Sequence, residues 1–419
     1  MRKPGRLWRT LNPSGPLFGM TISGGDSFND HSIQSITLNR GDSSTLAGMQ
    51  PTSLEVEVAG KFTKRSTGRT IDVHLTNSAA SMIAQRCGVS SAAIKTRFIG
   101  RAGSFRYTDD PRSTRQSTTI MAGSWAAQEA NSGKRLPIVG KNQPISWILG
   151  RVLYRAGRTY NWQARGDFEH TGIEFENAGF ADIWGKLADD IYVPAPVQRD
   201  GTLVAFSLPR LFADAQSRLS TTPTLLRSQV LAPAEWTQPN EVNSEKYRFR
   251  YTNKDGEVIH QELQYTWSGT NIPDFDITEI DWTQLRLNDT GHFLYAARAY
   301  IMRESSQRWF IDGVKIDLLS LMRSKNRYDR EVAGFLLTLE VGESLNLAGD
   351  WPIDVSGVYF AASIKEHITA DEWSLEIGLL PFLWVFGEQS PEVPALVWDS
   401  FTNVWDDETR TWDETEGKR

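Results

Sequence analysis

The sequence has almost no cysteine. Cys87 is the single one in 419 residues, so the chain cannot form an intrachain disulfide. Stability must therefore come from burial or from assembly with other subunits, because no covalent bridge constrains the chain. We expect Cys87 to be a small core residue rather than a reactive thiol.

Long apolar runs are also absent. No stretch stays apolar for the roughly 18 residues that a membrane-spanning helix needs. The first residues include Arg2, Lys3, Arg6 and Arg9, but the "TLNPSGPLFGM" that follows is too short and too interrupted for a signal peptide. We expect a soluble protein synthesised in the cytoplasm, with no membrane span.

The net charge of −6 is small for this length. The field of the whole molecule therefore gives no reason to expect tight, specific binding to nucleic acid or to anionic lipid.

Local catalytic motifs are missing as well. The six histidines are scattered singly, and no H-E-x-x-H, G-x-S-x-G, P-loop or G-x-G-x-x-G pattern occurs. The acidic pairs Asp109–Asp110, Asp189–Asp190 and Asp371–Glu372 fall where turns and helix ends are expected, although two carboxylates could serve glycoside hydrolysis. The sequence thus predicts no catalytic residue, no bound cofactor and no metal site.

What is present favours β structure. Apolar residues make up 40% of the chain, and it contains 33 glycines and 15 tryptophans, a composition with many turns and aromatic contacts. The length predicts two or three domains. We predict a mainly β fold with an α+β insert.

Residues 1–125 are predicted to form short strands of a small barrel or sandwich. In "SLEVEVAG", Leu54, Val56 and Val58 share one face, and "TIDVHLT" repeats this alternation. The turn-rich "KRSTGR" between these strands favours their antiparallel pairing.

Residues 126–233 are predicted to form an α+β middle domain. "PISWILGRVLYRAG" and "NAGFADIWGKLADDI" have the apolar period of helices, and Gly157 is the expected stop of the first. The Asp200–Gly201 step then predicts a hairpin turn.

Residues 234–388 are predicted to form a second β domain. "EKYRFRYTNKDGEVIHQELQYTW" reads as a hairpin with Tyr247, Phe249 and Tyr251 on one face. "GHFLYAARAYIMRE" predicts a helix, and "GFLLTLEV" a strand. The late "VYFAASIKEHITADEWSLEIGLL" has the same order of strand, excursion and return as "RFIGRAGSFRYTDD" with "TTIMAG" in the first domain, which suggests an internal duplication.

Residues 389–419 form an acidic segment in which tryptophans recur every seven residues, each followed by aspartate: Trp398, Asp399, Trp405, Asp406, Trp412 and Asp413. Helix propensity there is poor, and an odd spacing would point successive rings to opposite faces of a strand. We predict an extended arm that docks these six residues on a partner.

Aromatic residues elsewhere are predicted to lie in the core. Trp147, Trp184 and Trp267 occupy apolar positions of periodic segments, which favours packing over stacking against a sugar.

These segments, in this order, resemble the tail hub or minor tail protein of long-tailed bacteriophages, especially those of actinobacterial hosts. "RFIGRAGSFRYTDD", "ILGRVLYRAG", "FADIWGKLADDIYVPAPVQRDGTLVAFS", "GDWPIDVSG" and "FAASIKEHITADEWSLEIGLLP" carry the resemblance along nearly the whole chain. The acidic Trp-Asp segment is similar to endings of such proteins.

The resemblance implies two related β-barrel hub domains flanking the helix-containing middle domain, plus the extended C-terminal arm. It implies a homotrimer at the virion tail tip that adapts the sixfold tail tube to a threefold tip and contacts the distal tail protein, the tape measure protein and receptor-binding proteins. DNA would only pass through the channel. The rival interpretation is a tail protein that binds or hydrolyses cell-wall carbohydrate.

Overall fold

The fold was analysed in a computed structural model of the chain. The structure describes residues 16–24, 26–29, 32–41, 48–50, 52–60, 67–110, 115–130, 132–158, 162–165, 170–191, 194–219, 223–231, 236–237, 246–253, 255–264, 278–287, 297, 310–349, 351, 357–369 and 371–381.

The first region contains eight strands and two helices among the described residues. The strands are β1 (Phe18–Ile22), β2 (Asp26–Asn29), β3 (Ile33–Gly41), β4 (Gly48–Gln50), β5 (Thr52–Ala59), β6 (Thr70–Leu75), β7 (Thr96–Asp110) and β8 (Arg115–Gly123); the helices are α1 (Asn77–Cys87) and α2 (Ser91–Lys95).

The predicted alternation in this region is confirmed, but the predicted strand pairing is wrong. Leu54, Val56 and Val58 are buried while the glutamates between them are not. However, β5 pairs with β3 and β8, and β6 pairs with β1 and β7. The hairpin of β7 and β8 lies between β5 and β6 in the sheet, so the turn-rich link joins strands that are not neighbours.

Helix α1 was missed by the strand prediction for this region. The Thr76 hydroxyl caps its first turn by accepting from the Ala79 amide, and Gly88 ends it at a φ of 72°. Both are ordinary helix boundary signals.

The middle region alternates helices with short strands. Its helices are α3 (Trp125–Ala130), α4 (Ile145–Arg155), α5 (Phe180–Ile191) and α6 (Leu208–Leu219), and its strands are β9 (Arg135–Pro144), β10 (Trp162–Arg165), β11 (His170–Gly179), β12 (Pro194–Pro196), β13 (Leu203–Phe206) and β14 (Thr224–Leu226), followed by a 3-10 turn at Arg227–Gln229. Helices α4 and α5 match the predicted segments. Gly157 follows α4 at a φ of 76°, as the predicted stop requires.

The last region contains nine strands and two helices among the described residues. These are β15 (Trp236–Thr237), β16 (Lys246–Asn253), β17 (Val258–Gln264), β18 (Thr278–Leu287), β19 (Phe310–Ile311), β20 (Gly313–Asp317), α7 (Leu318–Arg323), α8 (Arg327–Thr338), β21 (Ser344–Ala348), β22 (Gly357–Thr369) and β23 (Trp373–Pro381).

The three predictions for this region differ in outcome. The hairpin of β16 and β17 is confirmed, with Tyr247, Phe249 and Tyr251 buried on one face. The strand predicted for "GFLLTLEV" is wrong, because its first five residues end helix α8, where Val332, Leu336 and neighbouring apolar side chains are buried at helical spacing. The helix predicted for "GHFLYAARAYIMRE" lies outside the described residues except at Ala297.

One large sheet connects the first and last regions. Its order runs β14-β21-β22-β3-β5-β8-β7-β6-β1-β2, with β23 paired to β22 and β20 paired to β23. Strand β22 meets β3 antiparallel from Ser363↔Gly41 to Thr369↔Ser35. Strands that are more than 300 residues apart in the chain are therefore direct neighbours.

The two regions contain equivalent units, which supports the predicted duplication. In the first unit, β7 and β8 form a hairpin, β8 also pairs with β5, and the start of β7 pairs with β6. In the second, β22 and β23 form the hairpin, β23 pairs with β20, and the start of β22 pairs with β21. Each hairpin has an irregularity at the same place, between Ala102 and Ser104 and between Ala361 and Ser363.

A second sheet has the order β17-β16-β18-β11-β9. It unites strands from both sides of the boundary predicted near residue 233. The described chain has two hydrophobic cores: one lies under the large sheet and packs α1, α7 and α8, and the other packs α3, α4 and α5 with the second sheet.

The predicted mainly β class with inserted helices is confirmed. The strand pairings of the described residues trace no closed barrel within one chain. The domain limits 1–125, 126–233, 234–388 and 389–419 stay a prediction.

Candidate functional site

The contact between the two equivalent units is the first candidate site, and we call the β3–β22 pairing the joint. It extends the sheet without a break from β20 through β23, β22, β3, β5 and β8 to β7. One face of this sheet covers the larger core, and the other carries the polar residues of the alternating strands.

The outward side chains form cross-strand rows, which we call the polar sheet face. The pairing register places Lys315, Glu376, Lys365, Asn39 and Ser53 in one row. A second row holds His367, Thr37, Glu55, Met121 and Ser104. Opposite charges therefore alternate across the second unit, which is a favourable cross-strand arrangement.

The joint lies in an open groove of about 370 Å³ on this face. Thr37 Oγ1 lies 3.1 Å from His367 Nδ1 across the two units. Lys365 Nζ lies 3.7 Å from Glu376 Oε2, and both side chains are more than half exposed. The groove is open to solvent and lined by polar and charged residue types, so it presents a wall rather than an enclosed substrate pocket.

Beneath the joint, five charged side chains form what we call the charge cluster: Arg40, Arg97, Arg199, Glu340 and Glu366. Arg40 donates from Nη1 to Glu340 at 2.7 Å and from Nη2 to Glu366 at 2.8 Å. Arg97 Nη2 also donates to Glu366, and Arg199 Nε to Glu340.

The same arginines bind the end of helix α8. Arg97 Nη1 donates to the Leu337 carbonyl at 2.9 Å, and Arg199 Nη2 donates to the Leu339 carbonyl at 2.7 Å. These contacts satisfy carbonyls that a helix end leaves without partners. The charge cluster thus ties the first unit, the second unit and the Arg199 turn of the middle region together.

The tight turn beside Arg199 explains how the middle region reaches this point. Gly201 adopts a φ of 85°, a left-handed conformation that suits glycine. The Thr202 amide donates to Asp200 Oδ1 at 2.9 Å, and the Ile99 amide of β7 donates to the Arg199 carbonyl at 2.9 Å. The predicted Asp200–Gly201 turn is therefore present and docks on the first unit. The strands of the predicted hairpin meet only at the Val197↔Leu203 bridge, because β12 pairs with β4 and β13 with β10.

Burial and charge compete within the charge cluster. Burial alone would raise the pKa of Glu366, but the guanidiniums of Arg97, Arg40 and Arg199 outweigh it and lower that pKa. Burial lowers the pKa of Arg97 to about 10, against the attraction of Glu366. Both groups are therefore charged at neutral pH. The cluster contains three arginines and two glutamates.

Besides the joint and the charge cluster, the solvent side of helix α4 is a candidate site, which we call the α4 face. Trp147 is 42% exposed and Tyr154 is 63% exposed. The Arg151 guanidinium lies 6.0 Å from the centroid of the Trp147 ring, within cation–π range. The prediction that Trp147 lies in the core is wrong, because Ile148, Val152 and their neighbours fill the buried side.

The other aromatic predictions differ in outcome. Trp184 is 1% exposed and stacks on Phe180, so its core role is confirmed. Trp267 lies outside the described residues. Trp398, Asp399, Trp405, Asp406, Trp412 and Asp413 also lie outside them, so their docking role stays a prediction.

The described residues hold no group of three or more metal-ligating side chains. Cys87 is buried, as predicted, and burial raises the pKa of its thiol to about 11 although Arg86 and Arg330 oppose the shift. Among the described ranges, no helix is long and apolar enough to cross a membrane.

Sequence reasoning did not find the charge cluster. Its members are up to 326 residues apart, so no local motif links them. The available signal was a charged residue at an inward strand position: Arg40 continues the buried series Ile36 and Leu38.

Comparison with known proteins shows a shared fold at low identity. No family model matches the sequence, and no curated protein matches it. The tail protein of Neisseria meningitidis MC58 is similar in structure, with a TM-score of 0.59, 9% identity, and coverage of 89% of this chain and 98% of that one.

Two further solved structures are similar. The 43 kDa tail protein of prophage MuSo2 from Shewanella oneidensis has a TM-score of 0.55 and 12% identity, and covers 87% of this chain and 97% of its own. Prophage tail protein gp18 from Listeria monocytogenes EGD-e has a TM-score of 0.50 and 8% identity, with coverage of 87% and 94%. The chain therefore has the fold of these tail proteins over most of its length.

Proposed function

We propose that the chain is a structural subunit of a bacteriophage-type tail, and that three copies form the hub ring of the tail tip. The observation that carries this proposal is the joint, where two equivalent units meet edge to edge within one chain. A ring of three such chains presents six similar units in succession. That number matches a sixfold tube on one side, while the ring of three chains keeps threefold symmetry for the tip.

In this proposal the joint seen inside one chain is the template for the contact between copies. A heterologous contact that repeats by a constant rotation closes into a ring when that rotation divides a full turn, and otherwise builds an open filament. The charge cluster fixes the angle between the two units of one chain, because its hydrogen bonds connect β3, β7, β22 and the end of α8. A ring closes with a defined number of copies only if the angle between neighbouring units is fixed.

The polar sheet face is the proposed wall of the central channel. Its rows mix Lys315 and Lys365 with Glu376 and Glu55, so neither sign dominates. DNA binds proteins chiefly through clustered cations that neutralise phosphates. A wall without such a cluster suits DNA that passes through rather than stays bound.

The proposed partners are the distal tail protein, the tape measure protein and receptor-binding proteins. The Trp-Asp segment supplies the docking residues, and an actinobacterial host rests on the sequence resemblance alone. The chain acts by assembly and not as an enzyme in this proposal, and it requires no cofactor. Its place is the virion tail tip after synthesis in the host cytoplasm.

Native mass spectrometry of the full chain over a range of concentrations tests the proposal. The expected result is a species of three times 47.2 kDa that replaces the single chain as concentration rises. A different closed number of copies, or single chains at every concentration, would overturn it.

The docking role of the segment needs a separate test on the assembled tail tip. Deleting residues 395–419 should weaken the attachment of a neighbouring tail-tip protein while the ring itself still forms. Unchanged attachment would exclude the docking role.

A further inference from the structure

The α4 face exposes aromatic rings next to arginines, and these side chains take no part in the core or in the joint. Trp147 and Tyr154 expose large rings, and Arg151 lies over Trp147 at 6.0 Å from its centroid. Arg155 is exposed and donates from Nη1 to the Pro137 carbonyl at 2.7 Å. Within the described ranges no carboxylate pairs with Arg151 or Arg155.

Helix α4 itself has no acidic residue. Its buried side packs on β9 and the second core through Ile148, Leu149, Val152 and Leu153. The opposite side therefore presents aromatic rings beside arginines that no described carboxylate pairs with. Surfaces rich in tryptophan, tyrosine and arginine are the ones that carry most binding energy at protein interfaces.

The C-terminal segment has the reciprocal chemistry. Each of Trp398, Trp405 and Trp412 is followed by an aspartate, and the stretch 398–416 contains seven carboxylates and a single cation, Arg410. An aspartate can pair with an arginine through charge-assisted hydrogen bonds. Its neighbouring tryptophan can pack on an exposed ring or on a guanidinium plane.

The length of the chain allows this contact. The described residues end at Pro381, and residues 382–397 could span up to about 55 Å when extended. A compact chain of this size has a radius of gyration of roughly 22 Å. The extended linker is therefore longer than the radius of the folded chain, so the Trp-Asp repeats are not confined to the surface near Pro381.

We propose that the α4 face is a docking site for a Trp-Asp repeat of this chain's own C-terminal segment. Arg151 binds the aspartate, and Trp147 with Tyr154 packs against the tryptophan. The inference rests on the proposed docking role of the segment and names a receiving surface for it. Because there are three repeats, one can occupy α4 while others remain for a different tail protein.

Photo-crosslinking of the full chain tests this directly. Three variants, with p-benzoyl-phenylalanine in place of Trp398, Trp405 or Trp412, keep an aromatic ring at each repeat in turn and form a covalent bond to whatever lies against it. Mass spectrometry should map the product of at least one variant to residues 144–158. Mixing light and isotope-labelled chains shows whether the contact lies within one chain or between copies.

Charge reversal supplies the specificity test. Arg151→Glu should lower the crosslink yield about tenfold, the usual size of losing one charge-assisted pair. Arg327→Glu is the matched control on helix α8, where the arginine is 86% exposed, and it should leave the yield unchanged. Exchanging Asp399, Asp406 and Asp413 for arginine should restore the yield in the Arg151→Glu chain.

Crosslinks that map outside 144–158 in all three variants, an absence of crosslinks, or equal yields from Arg151→Glu and Arg327→Glu would overturn the inference. If no crosslink forms and cell-wall glycan fragments instead protect Trp147 from chemical modification, the α4 face binds sugar and the inference is overturned. Failure of the α4 contact can be distinguished from failure of the proposed trimer. If the sample contains no rings but the crosslink still forms within single chains, the trimer proposal fails and the α4 contact stands.

Discussion

Replacing Glu366 tests whether the charge cluster holds the two units together. Glu366 is fully buried on β22 and accepts hydrogen bonds from Arg40, at 2.8 Å, and from Arg97. Glu366→Gln keeps the shape but removes the negative charge, which leaves the buried Arg97 guanidinium without a carboxylate partner and Arg40 with Glu340 alone. Breaking a buried ion pair from one side typically costs about 3–5 kcal/mol of unfolding free energy.

The assay is urea unfolding of wild type and variant, followed by tryptophan fluorescence. The signal comes from all 15 tryptophans, among them Trp373, whose ring centroid lies 5.8 Å from the Arg97 guanidinium. Glu376→Gln is the matched control on the same hairpin, since it removes an exposed pair with Lys365 at 3.7 Å. Exposed pairs contribute about 0–1 kcal/mol.

We expect a lower midpoint for Glu366→Gln at an unchanged slope, and a small shift for Glu376→Gln. If the two variants lose the same free energy, the charge cluster does not hold the units together and the reasoning fails.

Three further predictions concern stability and reactivity. Although burial opposes its charge, Glu366 has a lowered folded-state pKa, so its contribution is complete above the ordinary value of about 4.3 and is lost as pH falls through the lowered pKa. The difference in urea midpoint between wild type and Glu366→Gln should therefore shrink steadily as pH falls below about 4, and a constant difference down to pH 2 would contradict this. Gly334→Ala places a Cβ 2.6 Å from the Cys87 carbonyl oxygen, whereas Gly185→Ala in α5 meets no atom within 4 Å. The first should cost about 1–3 kcal/mol and the second should stabilise by up to about 1 kcal/mol in the same assay, and equal effects would refute the close packing of α8 on α1. Burial raises the pKa of Cys87 to about 11, so an aromatic disulfide reagent at pH 8 should label the folded chain roughly 100-fold more slowly than the chain in urea. Equal rates would show that the thiol is accessible.

Features set by local spacing were predictable from the sequence. The alternation of Leu54, Val56 and Val58 is a property of one strand with one buried face. The helical period of α5 and the glycine after α4 are likewise local. Such patterns identify an element and its buried side without reference to its neighbours.

Strand partners could not be predicted in the same way. The pairing of β3 with β22, and the hairpin that separates β5 from β6, depend on contacts between distant parts of the chain. The apolar run that ends α8 was mistaken for a strand because short apolar runs fit either element.

The candidate site was the least predictable part. The charge cluster joins Arg40, Arg97 and Arg199 to two glutamates from other elements, and no spacing in the sequence links them. Trp147 was assigned to the core because its segment is apolar overall. A step of one residue turns the side chain by about 100° around the helix, so Ile148 is buried while its neighbour Trp147 is exposed.

Electron-microscopic imaging of the purified full chain, with class averaging, tests the central claim most directly. The account predicts threefold rings around a central opening, with the sheet that contains the joint facing the opening. Averages that show only single 47.2 kDa particles, or rings of another symmetry, would contradict the proposal that three copies form a hub.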